Sequence, residues 1–153
     1  MKIIIDAMGG DLAPQAPVRG GLQAAKEFGV EVLFTGNEAA IRHVMKQDGY
    51  DELPAGVEIV NCTEVVDNCD DPSIVWRKKP DSSMTVGLKL LKASRGNAFI
   101  SAGSTGALLS GATLLVRRIR GVKRAAVAPS LPTGHGRAVL IDAGANSECT
   151  VEQ

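Results

Sequence analysis

Short apolar runs that alternate with amphipathic helical segments constrain the fold of this chain more than any other sequence feature. The runs are rich in β-branched side chains, as buried strands are, and they span residues 2–7, 31–35, 57–60, 98–101, 125–128 and 137–142. Apolar residues at helical spacing predict helices at 18–28, 38–45, 82–94 and 106–119. This alternation predicts an α/β fold, a mostly parallel sheet with helices on both faces.

Length and composition narrow the class of protein. A chain of 153 residues, 44% of them apolar, is expected to form one domain with its own core. Seventeen basic side chains balance 17 acidic ones, so the overall charge favours neither nucleic acid nor a membrane surface as a partner. The three cysteines match neither a metal-binding pair nor a disulfide set, and we identify no signal peptide or membrane span. We therefore expect a cytoplasmic protein.

The turn at residues 101–107 is the first candidate site, because an apolar strand runs there into glycines and hydroxyls that open a helix. The first amides of a helix have no partner within it, and the helix dipole adds positive charge, so such a turn can hold an anion such as phosphate. Alternatively, Ser104 or Thr105 only caps the helix with its own hydroxyl. The turn alone leaves both interpretations open. Its candidate phosphate-binding residues are Ser101, Gly103, Ser104, Thr105 and Gly106.

Two further predicted strands end in similar loops. One loop carries Asp6, Met8, Gly9 and Gly10, and the other carries Asp142, Gly144 and Asn146. Ligands of open α/β sheets bind outside the carboxyl ends of the strands, so neighbouring loops of this kind would line one crevice. This coincidence favours an anion site over simple helix capping. Because carboxylates repel phosphate, we expect Asp6 and Asp11 to brace a loop or to orient a cation.

Two basic clusters supply candidate cations. The first cluster comprises Arg77, Lys78 and Lys79, and it precedes the predicted helix that begins near Ser82 and Ser83. Its side chains either contact phosphate and a developing oxyanion or are solvated charges. The second cluster has three possible roles: its positive charges offset the negative end of a helix dipole, bind an acidic protein or contact anionic lipid. Its members are Arg117, Arg118, Arg120, Lys123 and Arg124.

Taken together, the motifs at 5–11, 77–84, 100–108, 128–133 and 142–146 resemble those of bacterial phosphate acyltransferases of phospholipid synthesis. The resemblance implies a fold similar to that of isocitrate dehydrogenases and phosphate acetyltransferases, usually as a homodimer, with no metal or nucleotide cofactor. Ser104 stands where asparagine is expected, and Pro80 and Asp81 also depart from the pattern. Family members are much longer, so we expect the C-terminal half of the family fold to be absent from this chain.

The resemblance also implies a reaction, in which inorganic phosphate attacks the thioester of acyl-acyl carrier protein and forms acyl phosphate, the first step toward phosphatidic acid. It implies catalytic roles for Arg77, Lys78 and Ser83, phosphate binding by the glycine-rich loops, and docking of the acyl carrier protein on the second basic cluster. Peripheral contact with the inner face of the membrane, or with a membrane-bound glycerol-3-phosphate acyltransferase, would follow.

Two other functions compete with this one. A non-catalytic anion-binding or assembly domain is the first alternative. A nicotinamide-dependent dehydrogenase is disfavoured, because the first predicted strand is not followed by a Gly-x-Gly-x-x-Gly loop.

Overall fold

The structure, a computed structural model, describes residues 1–122 and 125–141. The chain divides into two compact units, Met1–Val116 and Arg117–Gln153. The first unit contains four strands, which are β1 (Lys2–Asp6), β2 (Glu31–Gly36), β3 (Val57–Asn61) and β4 (Ala98–Ile100). Its helices are α1 (Gln15–Phe28), α2 (Glu38–Gln47), α3 (Val75–Lys78), α4 (Ser83–Lys92) and α5 (Thr105–Gly111), with a π-helical segment at Ala112–Val116.

The four strands form a parallel sheet in the order β3-β2-β1-β4. Strand β1 is therefore internal, and Ile5 pairs with Phe34 on one side and with Ile100 on the other. This register places the carboxyl ends of β1 and β4 side by side. The predicted α/β class and its parallel sheet are confirmed.

Successive side chains of a strand point to opposite faces of the sheet, so the apolar strands expose apolar side chains on both faces. Helices cover each face. On one face, Val18 and Leu22 of α1 and the apolar face of α2 pack with Ile5 and Phe34. On the other face, Met84 and Leu88 of α4 form a second buried cluster with Val75 and Ala107, against which Phe99 of β4 packs.

The ends of three helices follow the expected signals. Gly29 terminates α1 in the left-handed region at a φ of 62°, which glycine adopts without a steric penalty. Side chains cap the first turns of α2 and α4. Asn37 accepts a hydrogen bond from the Ala40 amide at α2, and Ser82 accepts one from the Thr85 amide at α4. The predicted positions of these three helices are therefore confirmed to within a few residues.

The helix predicted at 106–119 is shorter than expected. Helix α5 ends at Gly111 and continues only as π-helix to Val116, and Arg117 then takes a φ of 78°. The Thr113 hydroxyl donates a hydrogen bond to the Leu109 carbonyl at 2.8 Å, a contact that often bends helices. Arg117, Arg118 and Arg120 consequently follow the helix rather than lie on its polar face.

The second unit contains an antiparallel hairpin instead of two parallel strands. Residues 125–129 form no strand, and β5 (Ser130–Thr133) pairs with β6 (Gly136–Val139). The link from β5 to β6 is the dipeptide Gly134-His135, which suits a hairpin, whereas a parallel pair needs a crossover of a dozen or more residues. The strand predicted at 125–128 was therefore wrong, and the one predicted at 137–142 is confirmed only at 137–139, where it is antiparallel rather than parallel.

Candidate functional site

The loops that follow β1 and β4 are joined through the carboxylate of Asp6. The Ser101 hydroxyl donates a hydrogen bond to Asp6 Oδ2 at 2.7 Å, and the Met8 amide donates to Oδ1 at 3.1 Å. The Gly103 amide in turn donates to Ser101 Oγ at 3.1 Å. Asp6 is only 2% exposed, so it connects the loops from within and does not face an incoming anion.

Close approach of the two loops requires glycine at position 9. A Cβ atom there would lie 2.6 Å from Asp6 Oδ2, 2.8 Å from Ser101 Oγ and 2.9 Å from the Gly103 nitrogen. Gly10 packs beside Ala102 and has a φ of 101°, which side chains rarely tolerate. The paired glycines of this loop therefore serve backbone-to-backbone packing at the strand ends.

A polar cavity of about 250 Å³ opens beside these loops. Residues of four segments line it, including Met8, Gly10, Gly103, Asp67, Asn68 and Lys79. The segment at 61–72 carries four acidic residues, and its residues 65–68 form one wall of the cavity. Sequence reasoning missed this wall. The signal that could have found it is the basic cluster at 77–79, because a lysine of that cluster can pair with a carboxylate of the acidic segment.

Lys79 carries the only positive charge among the described residues that line this cavity. Its ammonium group donates hydrogen bonds to the Val65 carbonyl at 2.9 Å and to the Asp70 carboxylate. The same ammonium group lowers the pKa of Asp70, whose carboxylate also accepts a hydrogen bond from the Asp67 amide. The acidic segment therefore fixes the position of Lys79 at the cavity.

All three predicted catalytic residues lie outside this cavity. Arg77 and Lys78 are exposed at the end of α3, and the Arg77 guanidinium lies 4.5 Å from the centre of the Trp76 ring. Ser83 is 1% exposed, at the first residue of α4. Neither the two cations nor Ser83 lines the polar cavity.

The start of α5 shows the helix cap that was one of the two interpretations of this turn. Ser104 Oγ accepts a hydrogen bond from the Ala107 amide at 3.4 Å. Thr105 and Gly106 are exposed, and their amides belong to the first turn, which has no acceptors within the helix. Capping by Ser104 therefore leaves the Thr105 and Gly106 amides available for another acceptor.

A second, mostly apolar groove of about 600 Å³ lies on the α1 side of the same loops. It shares Gly10 and Asp11 with the polar cavity, and Asp6 and Ser101 also line it. The loop after β1 thus separates a polar compartment from an apolar one.

The remaining predicted site residues fall into two groups. Asp142, Gly144 and Asn146, together with Lys123 and Arg124, lie outside the described residues. Arg117, Arg118 and Arg120 are exposed in the second unit. Within residues 1–122 and 125–141, no group of three or more His, Cys, Asp or Glu side chains is arranged to hold a metal ion, and no helix is long and apolar enough to cross a membrane.

Comparison with known proteins identifies the family of this chain. A family model described as "Fatty acid synthesis protein" matches residues 1–153. The chain belongs to this family. Among its relatives, the phosphate acyltransferase of Alkaliphilus oremlandii is 48% identical over 149 residues, and that of Thermoanaerobacter pseudethanolicus is 44% identical over 153. The resemblance to phosphate acyltransferases is thereby confirmed.

The match covers 97% and 99% of this chain but 44% of each relative, so the chain spans less than half of the length of these curated relatives. Among solved structures, a phosphotransacetylase from Streptococcus pyogenes superimposes with a TM-score of 0.68 over 98% of this chain and 49% of its own. At 20% identity, that likeness shows the fold alone. The expected similarity to phosphate acetyltransferases in architecture is confirmed.

Proposed function

We propose that this chain forms the phosphate-binding part of an acyltransferase that makes acyl phosphate from acyl-acyl carrier protein and inorganic phosphate. A phosphate oxygen attacks the thioester carbonyl carbon, the carbon–sulfur bond breaks, and the carrier thiolate leaves and takes up a proton. Phosphate is itself the nucleophile, so the protein has to position it and to stabilise the oxyanion. The names of the relatives and the polar cavity at the strand ends support this proposal.

The observation that carries the proposal is the position of Lys79. Lys79 lines a cavity whose other walls are the two glycine-rich loops and the acidic segment at 65–68. A charged hydrogen bond to phosphate contributes about 1.5–3 kcal/mol, whereas the exposed Arg77 and Lys78 lie outside this cavity. We therefore assign the phosphate contact to Lys79 and to backbone amides of the loops that line this cavity.

The test measures carrier-thiol release as a function of phosphate concentration, and phosphate binding by calorimetry. Lys79→Gln should weaken phosphate binding by roughly tenfold or more, since it removes a charged hydrogen bond. Lys92→Gln, which removes an exposed cation from the end of α4, is the matched control. Thiol release that does not depend on phosphate would refute acyl transfer to phosphate. Binding without thiol release would instead support the anion-binding or assembly domain.

A second variant separates ligand binding from loop structure. Asp70→Asn removes the negative partner of Lys79 but keeps the ammonium group. If the ammonium group of Lys79 binds phosphate, Asp70→Asn should retain the phosphate affinity of the unchanged chain. A purely structural ion pair predicts that Asp70→Asn and Lys79→Gln weaken phosphate binding equally.

The acyl carrier protein is the proposed macromolecular partner, and the exposed Arg117, Arg118 and Arg120 are its proposed contacts, together with Lys123 and Arg124. Opposite charges on the two proteins would favour this association. Reversing the charge of Arg117 and Arg120 should raise the KM for the acyl carrier protein substrate and leave the KM for phosphate unchanged. Unchanged kinetics would exclude this surface. A cytoplasmic homodimer with peripheral membrane contact belongs to the same proposal.

A further inference from the structure

The proposed phosphate contacts leave the apolar groove beside α1 without a ligand. Its walls include the small residues Ala16, Gly20 and Ala24 of α1 and the large side chains Leu12 and Ile100. Leu12 is 72% exposed and Ile100 is 54% exposed, so both apolar side chains are open to solvent along the groove. A cavity of about 600 Å³ is within the size range of small-molecule sites.

The groove and the polar cavity meet at one loop. Gly10 and Asp11 line both cavities, and the Asp6–Ser101 hydrogen bond lies at the polar end of the groove. A ligand with an anionic head and an apolar tail matches this division, because its head can occupy the polar cavity while its tail passes the Gly10 backbone.

We propose that the groove binds the alkyl chain of the acyl group whose carbonyl is attacked in the polar cavity, and that the small residues of α1 determine how long a chain it accepts. This proposal rests on the proposed function, which requires an acyl group next to the bound phosphate. The groove supplies apolar surface for the chain, and burial strengthens binding by up to about fourfold per methylene.

Gly20 provides the sharpest probe of the groove. A Cβ atom at Gly20 would meet no atom within 4 Å, so a larger side chain enters open space. The adjacent Gly21 differs, because a Cβ atom there would lie 2.5 Å from Cζ of Phe34 in the core. Substitution at Gly20 therefore changes the groove, whereas substitution at Gly21 changes the packing of α1 on the sheet.

The experiment measures the binding of inorganic phosphate, hexyl phosphate and dodecyl phosphate by calorimetry, with the alkyl phosphates below their micelle concentrations. Dodecyl phosphate should bind at least about tenfold more tightly than hexyl phosphate, because its extra methylenes lie in the groove. Gly20→Leu should weaken dodecyl phosphate binding by about tenfold, with an effect on inorganic phosphate of less than about twofold. Gln23→Leu, which adds the same side chain to an exposed position of α1 outside the groove, is the control.

The outcomes separate this proposal from the phosphate site. If inorganic phosphate binds but the longer alkyl chain adds no affinity, the groove proposal is overturned and the phosphate site stands. Equal weakening of all three ligands by Gly20→Leu, or no weakening, also overturns it. A melting temperature lowered by several degrees in Gly20→Leu, but not in Gln23→Leu, would show that a protein segment occupies the groove, and would overturn it as well.

Discussion

Replacement of Gly9 by alanine tests whether contact between the two strand-end loops holds the site together. The added Cβ atom would lie within 2.6–2.9 Å of Asp6 Oδ2, Ser101 Oγ and the Gly103 nitrogen. None of these atoms is the end of a long side chain, so the loops must separate to make room. No left-handed φ is involved at Gly9, and the effect is therefore steric.

The magnitude follows from two costs. Overpacking of a close contact costs about 1–3 kcal/mol. Loss of a hydrogen bond to the buried Asp6 carboxylate adds about 1.5–3 kcal/mol. We expect Gly9→Ala to lower the free energy of unfolding by about 3 kcal/mol, which corresponds to a fall of roughly 6–12 °C in Tm for a chain of this size.

Urea unfolding followed by circular dichroism measures this change, and Gly20→Ala is its matched control. The same chemical change at Gly20 meets open space within helix α1, so it should raise stability by about 0.5–1 kcal/mol. Phosphate affinity should fall in Gly9→Ala and hold in Gly20→Ala. Equal stabilities of the two variants, or full phosphate affinity in Gly9→Ala, would refute the inferred contact between the loops.

Two further predictions concern ionisable groups outside the site. The Arg19 guanidinium of α1 forms a bidentate pair with Asp48 at the end of α2, and this pair lowers the pKa of the Asp48 carboxyl. The pair therefore stabilises the fold at a pH above the ordinary pKa of aspartate. This stabilisation is lost as the pH falls through the lowered pKa of Asp48. The stability gap between the unchanged chain and Arg19→Gln in urea unfolding should therefore close as the pH falls below the ordinary pKa of aspartate, and a constant gap would contradict this. Burial raises the pKa of Cys62 to about 11, whereas Cys69 is exposed. Iodoacetamide at about pH 8 should modify Cys69 well before Cys62 in peptide mass spectra, and equal rates would contradict the burial of Cys62.

The parallel sheet could be predicted from sequence because its signals are local. Strand β1 is a run of isoleucines that ends at a glycine loop, and Asn37, Gly29 and Ser82 mark helix ends through interactions within a few residues. The adjacency of the loops at Asp6 and Ser101 was expected only on the condition that β1 and β4 are neighbours. Strand order depends on long-range packing, which local patterns do not encode.

The site itself was predicted less completely than the fold. Asp6 was expected to brace a loop, and its contacts with Ser101 and Met8 agree with that role. Catalytic roles were predicted for Arg77 and Lys78 rather than for Lys79, because the position of Lys79 depends on an acidic segment that lacks periodicity. The hairpin was missed because no strand was predicted at β5 and because residues 137–142 were assigned to a buried parallel strand, although Val139 is exposed.

The hydrogen bond between Ser101 and Asp6 joins residues 95 positions apart, and this separation has a consequence for the order of events during synthesis. Strands β1, β2 and β3 and the two helices between them lie within residues 1–61, so they can pair as soon as that part has left the ribosome. At about 5–20 residues per second, Ser101 is translated roughly 5–20 s after Asp6. Until then the Asp6 carboxylate lacks the Ser101 hydroxyl, and the two loops of the proposed phosphate site can be joined only after β1, β2 and β3 are available to pair.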